Sequence, residues 1–368
     1  PIIVPVVTMG RYHGFCPVDG RFPNRAGVGS ILGTDYHRDV TDRSLSPTLV
    51  IGTGLIGAAV GCALNDTGVR VHLRDRTRST AVVAAGRGAG MLDAPAAAEV
   101  RLVVVAVPPA AIGGVVAAAL RKYPNAAVTD VGSVKAGIAA ELTGLGAATE
   151  RYLGGHPMAG SHRSGPLTAN KELFLDRTWV LTPNPVNPPW VRQRVRLLVK
   201  LCGARLVELS ATDHDRAVAA LSHFPQLVSS LTAARLTQVA PEDLQLAGQG
   251  IRDVTRIAAS DASMWGQIVA ANVEPIRTQL MALRADLAAL IDALDDADTV
   301  TDLLQRGNAG VRALPNRRGK RPEELASVVV EIPDAPGSLG ALFTAITAAG
   351  VNIEDLSMEH DQIRDAGY

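Results

Sequence analysis

Residues 48–68, TLVIGTGLIGAAVGCALNDTG, decide the fold. A short apolar run, Thr48–Ile51, has the length and β-branched content of a buried parallel strand. It ends on three glycines, Gly52, Gly54 and Gly57, in the spacing GxGxxG, and an alanine-rich helical stretch follows. Each glycine has a physical task. Gly52 permits the tight turn out of the strand, Gly54 lets a pyrophosphate approach the backbone, and Gly57 brings helix and strand close together. The helix start at Leu55 and Ile56 offers free N–H groups and the positive end of a helix dipole to an anion. Asp75 closes the next apolar run, VRVHLRD, 18 residues beyond Gly57. An acid there accepts the ribose hydroxyls of a dinucleotide, which favours NAD. Arg74, Arg76 and Arg78 flank it and suit a 2′-phosphate, so NADP stays open.

The same grammar continues downstream. RLVVVAVP and AAVTDVGS are further apolar runs, and PAAIGGVVAAALRKY is a helical stretch between them. Strands alternating with helices mean βαβ units and a doubly wound parallel sheet. TWVLTPNP, residues 178–185, reads as one more strand. The prolines of residues 183–189 read as the joint that ends an α/β domain over 47–188. Residues 1–46 are rich in Gly, Pro, Asp and Arg without a sustained period and read as an irregular leader. The opening PIIVPVV lacks a preceding basic segment and is not read as a signal peptide.

Beyond Trp190 helical periodicity takes over. Val191, Val195, Leu198 and Val199 form one face. From Val269 the apolar positions Val273, Ile276, Leu280, Leu283, Leu287, Leu290 and Leu294 alternate steps of four and three, which is a heptad seam. A single helix over the seam would span nearly 40 Å, with a kink expected at Pro275. A seam that long points to packing against a second copy of the chain, within an all-helical region 189–312. Residues 306–324 are polar and basic and read as solvated, with a linker over 313–325. A strand, a turn, an amphipathic helix and a second strand follow over 326–368.

Bulk properties narrow the function. Lys plus Arg and Asp plus Glu are both 36, for a net charge of zero, which favours neither nucleic acid nor an anionic membrane. No apolar run approaches the roughly 20 residues of a membrane span. Cys16, Cys62 and Cys202 are too few and scattered for a disulfide framework or a zinc site, so no metal is expected and a cytoplasmic setting is. Two loops carry candidate chemistry: TDVGSVK, residues 129–135, and GGHPMAGSHRSG, residues 154–165. Both fall after strands, at the edge where a doubly wound sheet binds ligands.

Together with LSHFPQ (221–226), RDVTRIAASDASMW (252–265) and the glycine pattern, these stretches make residues 47–312 resemble the prephenate dehydrogenase family. The resemblance implies a Rossmann domain followed by an all-helical dimerisation domain. It implies oxidative decarboxylation of prephenate to 4-hydroxyphenylpyruvate in tyrosine biosynthesis, with hydride passing to NAD. It makes His156 the acceptor of the substrate's hydroxyl proton, a task suited to an imidazole near neutral pH. Ser133 matches the serine that orients the histidine or the alcohol; from local sequence alone it also suits a helix N-cap. Arg256 matches the arginine that grips a substrate carboxylate. His223 matches a position lining the substrate pocket, and Trp265 either walls that pocket or fills the core. His162 replaces a glutamate found in many relatives, which makes the pocket mouth more positive. His214, between two acids in TDHDR, reads as a solvated helix residue, and Asp130 and Lys135 receive no role.

The tail resembles part of an ACT domain, an α+β module that often binds amino acids; Asp334, Gly337 and Asn352 are its candidate tyrosine contacts. Only its first strand, helix and second strand are recognisable, which would leave an open sheet edge. Rival readings are an arogenate dehydrogenase, a 3-hydroxyacid dehydrogenase of the 6-phosphogluconate type, for which Lys200 is a poor match, and a non-catalytic regulator that binds a nucleotide and senses an amino acid.

Overall fold

A computed structural model describes residues 4–10, 44–160, 165–315, 325–330, 332–333, 335–351 and 353–359. They fall into two compact units, one drawn from Ser30–Asp286 and the other from Pro1–Gly29 with Leu287–Tyr368.

In the larger unit, strands β2 (Thr48–Ile51), β3 (Val71–Arg74), β4 (Leu102–Val105) and β5 (Ala127–Asp130) form a parallel sheet in the order β3-β2-β4-β5. The unbroken apolar runs follow from burial on both faces. On β4, Leu102 and Val104 join one core cluster while Val103 and Val105 join the other. Helices α1 (Leu55–Asp66) and α5 (Pro189–Leu201) supply the first cluster, and α3 (Ile112–Lys122) and α4 (Ala136–Gly144) the second. Helix α2 (Arg78–Gly86) follows β3.

The α/β part runs further than the proline-rich joint suggested. Pro189 opens helix α5 at a position where its missing N–H costs nothing. Val191, Val195, Leu198 and Val199 of that helix are buried. The chain then forms β8 (Arg205–Glu208), parallel to β7 (Thr178–Thr182), which is antiparallel to β6 (Gly154–Pro157). A bridge from Val128 to Tyr152 and the bond from the Leu153 amide to the Val128 carbonyl (3.0 Å) bring this three-stranded sheet alongside β5.

Helices follow: α6 (Ala211–Val218), a π-helical turn (Ala219–His223), α7 (Phe224–Arg235), α8 (Gln249–Thr255) and α9 (Ala262–Ala271). The heptad seam is not carried by one helix. The chain breaks at Asn272 and restarts as α10 (Val273–Asp292), with Pro275 in its first turn, where proline is tolerated. Of the seam residues on α10 only Ile276 is buried, and Leu287 and Ile291 on this helix are more than half exposed.

In the smaller unit α11 (Ala297–Ala313) carries residues 306–313 as helix, and they are exposed, in keeping with a solvated polar stretch. β9 (Leu325–Val329), α12 (Ser338–Ala348) and β10 (Ile353–Glu359) follow the expected strand–helix–strand order. Residues 4–10 correct the reading of an irregular leader. They form strand β1 (Val4–Gly10), which lies between β10 and β9 and is antiparallel to both.

Candidate active site

The turn after β2 has the geometry of a pyrophosphate cradle. Gly52 sits at φ +92°, and a Cβ there would meet the Ala106 carbonyl oxygen at 2.3 Å. A Cβ on Gly57 would lie 1.9 Å from the Gly52 oxygen. A Cβ on Gly54, by contrast, would meet nothing within 4 Å, so open space borders the backbone where a phosphate must approach. Leu55 and Ile56 begin helix α1 there. Asp75 stands beside this loop: Thr53 donates to Oδ2 from its amide (2.7 Å) and hydroxyl (2.9 Å), and the Thr77 amide donates to Oδ1 (2.9 Å). Burial pushes the Asp75 carboxyl up, but these bonds outweigh it and hold the group below its usual range. The anion retains lone pairs for ribose hydroxyls. These residues fit NAD.

The strand register carries the second half of the site to the same edge. Ile51, Val105 and Asp130 are level across the sheet. Tyr152 is level with Val128, so His156, four residues on, has passed the strand end marked by Asp130. Ser133 lies three residues beyond Asp130, in the turn that follows β5. Its hydroxyl has no hydrogen-bond partner among the described residues, and it does not cap α4. The capping acceptor is Asp215, whose Oδ1 and Oδ2 accept from the Lys135 and Ala136 amides, each at 2.8 Å.

His156 is buried, and its Nδ1 lies 2.8 Å from His214 Nε2. His214 Nδ1 lies 2.7 Å from Asp215 Oδ1. His214 is therefore no solvated helix residue: it is fully buried, four residues before the buried Val218 on the same helical face. That spacing was the available signal, masked by the charged neighbours Asp213 and Asp215. Asp130 and Lys135 also have a place. They form a buried ion pair, and the Lys135 ammonium donates to the Gly155 carbonyl (2.9 Å) while Tyr152 donates to Asp130 Oδ1 (2.8 Å). This braces the strand that holds His156. Burial, then the Lys135 charge and the two neighbouring histidines, hold the His156 imidazole well below its usual pKa. It is neutral, with Nε2 free of hydrogen-bond partners among the described residues.

Asn272, at the helix break, ties the remaining pieces together. Its side-chain amide donates to the Asp215 carbonyl (2.8 Å) and lies 3.1 Å from His223 Nδ1. His223 meets Trp265 edge-to-face at 5.9 Å. Burial lowers the His223 pKa to about 4, against the pull of Asp215. Ser133 opens on a cavity of about 380 Å³ whose walls include Val134, Ile138, Glu141, Gln267 and Ile268. Arg256 is not brought into this network. It begins a short turn after α8, exposed and without an ion pair among the described residues. Asp253 accepts from Gln249 (2.7 Å) and pairs with neither Arg252 nor Arg256. His162 and Arg163 lie outside the described residues.

Comparison with known proteins finds relatives along most of the chain. Residues 60–208 match the family model for the prephenate dehydrogenase nucleotide-binding domain, and residues 210–306 match that for its dimerization domain. A probable prephenate dehydrogenase of Streptomyces niveus, NovF, is 36% identical over 328 residues, covering 85% of this chain and 90% of that protein. The prephenate dehydrogenase of Lactococcus lactis is 27% identical, covering 86% of this chain and 92% of that protein. Among solved structures, Synechocystis arogenate dehydrogenase superposes with a TM-score of 0.62 at 27% identity, covering 72% of this chain and 98% of its own. Matched in both of its principal domains and along most of its length, the chain belongs to the prephenate dehydrogenase family.

Proposed function

We propose that this chain oxidatively decarboxylates prephenate to 4-hydroxyphenylpyruvate, with His156 as the proton acceptor. The observation that carries this assignment is the His156 imidazole. It is buried, kept neutral, placed past the sheet edge that also bears Gly52 and Ser133, and bonded through Nδ1, with Nε2 free among the described residues. When bound over the Gly52–Gly57 turn, with Asp75 at its ribose, NAD supplies the hydride acceptor. As the C4–H bond gives up its hydride, His156 Nε2 takes the C4 hydroxyl proton. The C1 carboxylate leaves as carbon dioxide, its bonding electrons enter the ring, and the proton returns to the phenolate oxygen. Ser133 orients the alcohol, and a hydroxyl uncommitted among the described residues supports that role. Arg256 grips a carboxylate, with His223 and Trp265 lining the pocket; that it has no ion pair among the described residues supports this use of its charge. A guanidinium must favour the transition state over the departing carboxylate to speed the reaction.

The test is purified protein with prephenate and NAD, followed by NADH absorbance, with NADP and arogenate run in parallel. Faster turnover of arogenate would move the assignment to the second reading, which the likeness to the Synechocystis enzyme supports. The protein acts as a cytoplasmic homodimer, with the exposed apolar positions of α10 facing the second copy. No helix among the described residues is long and apolar enough to cross a membrane.

The tail over 326–368 is proposed as a partial ACT-like module that senses tyrosine. Its support is the order β9–α12–β10 and Gly337 at φ +93°, at the start of α12. Asp334 and Asn352 lie outside the described residues. Inhibition by tyrosine that is lost on removal of residues 326–368 is the expected result.

A further inference from the structure

We propose that His214 and Asp215 are positioning residues that set the protonation of His156 and take up its positive charge during turnover, a proposal that rests on His156 being the base. The geometry assigns the protons in sequence. Asp215 Oδ1 accepts from the Lys135 amide and Oδ2 from the Ala136 amide, so the carboxylate is anchored as an anion at the start of α4. A carboxylate only accepts, so His214 Nδ1 is the donor across the 2.7 Å contact. Neutral His214 then presents a lone pair at Nε2. The 2.8 Å contact to His156 Nδ1 makes that nitrogen the donor. His156 therefore carries its proton on Nδ1 and its lone pair on Nε2, the tautomer that a base needs.

The same chain has a second use. Once Nε2 takes the hydroxyl proton, His156 is an imidazolium beside the Lys135 ammonium, in a buried place that disfavours charge. Passage of the Nδ1 proton to His214 Nε2 moves the charge to His214, in contact with the Asp215 carboxylate. The O–H bond breaks, an Nε2–H bond forms, the Nδ1–H bond of His156 breaks and an Nε2–H bond of His214 forms. When the phenolate takes its proton back, each transfer reverses, and no proton is gained or lost. Asp215 thus joins three elements: it caps α4, orients His214 on α6 and, through its backbone carbonyl, receives Asn272.

The test combines kinetics with ¹⁵N NMR of histidine-labelled protein. His214→Gln retains an oxygen that accepts from His156 Nδ1 but cannot relay a proton. His214→Met removes both functions, and Asp215→Asn removes the counter-charge. The expected kcat order is wild type, then His214→Gln, then His214→Met. Asp215→Asn should lose roughly 10²–10⁴-fold in kcat, with the KM for prephenate and the NAD affinity changed less than threefold. In wild type and in His214→Gln the His156 Nε2 resonance should be that of an unprotonated nitrogen; in His214→Met it should shift as both tautomers populate. Should His214→Met fail to fold, His214→Gln keeps an acceptor for His156 Nδ1 and carries the test; Asp215→Asn gives up one of the two oxygens that accept from the Lys135 and Ala136 amides, so its melting temperature is read beside its kcat. A kcat within twofold of wild type in Asp215→Asn and His214→Gln, or a protonated Nε2 on His156 in the resting wild type, overturns the proposal. Unchanged turnover in His156→Asn would instead remove the base assignment itself, whatever the tautomer shows.

Discussion

At the scale of single residues, the chemistry rests on one imidazole whose surroundings remove its ordinary properties. Histidine in water would be partly charged near neutral pH. Buried beside Lys135, His156 stays neutral and available. His156→Asn should cut turnover by about 10²–10⁴-fold, the range for a lost acid–base group, while NAD affinity, measured by fluorescence titration, stays near wild type. Arg256 makes a different demand. It is exposed, so its removal leaves no buried charge behind. Arg256→Gln should raise the KM for prephenate by roughly tenfold or more, as expected for a lost charged hydrogen-bond pair, with kcat less affected and the melting temperature unchanged. A KM equal to wild type would mean that another cation holds the carboxylate.

Among the elements, the β2–α1 turn is the most constrained. Its conformation needs a positive φ at Gly52, and the Ala106 carbonyl fills the place of a side chain. Gly52→Ala places a Cβ where left-handed backbone alone costs about 1–2 kcal/mol, and the clash adds to that. The variant should melt several degrees lower and bind NAD more weakly, read by differential scanning fluorimetry with and without NAD. Gly54→Ala should fold like wild type, because space is open around that position; its defect should appear only in cofactor affinity. The heptad seam shows how an element can be read correctly in pattern and wrongly in continuity. The spacing of four and three persists across Asn272, yet Asn272 turns its side chain to the Asp215 carbonyl and the helix is interrupted there. No local rule announces that bond, because its partner lies 57 residues earlier.

For the whole molecule, the buried histidines couple stability to pH. His223 titrates at about 4 when folded, against an ordinary value of 6.5. His156 is shifted in the same direction. The unfolded chain therefore binds more protons than the native one between these values, and stability rises with pH through that window. Stability present above pH 6.5 should fall as the pH drops toward 4. Urea titrations at pH 7.5, 6 and 4.5 check this. His223→Gln should reduce the slope, and a slope unchanged from wild type would assign the acid sensitivity to other groups.

By itself the sequence determined what short-range rules govern: the parallel strands from runs buried on both faces, the nucleotide turn from three glycines and Asp75, and the helical face of residues 191–199. These are set by sterics and burial within a few residues. Tertiary structure alone decided which polar groups meet. His214 looked solvated because its neighbours are acids, and it is buried because α6 packs where His156 and the start of α4 converge. Strand β1 belongs in a sheet only because β9 and β10 lie on either side of it, more than 300 residues downstream. A hydrogen bond or a strand pairing depends on where the chain returns in space, and residue type at one position carries little record of that.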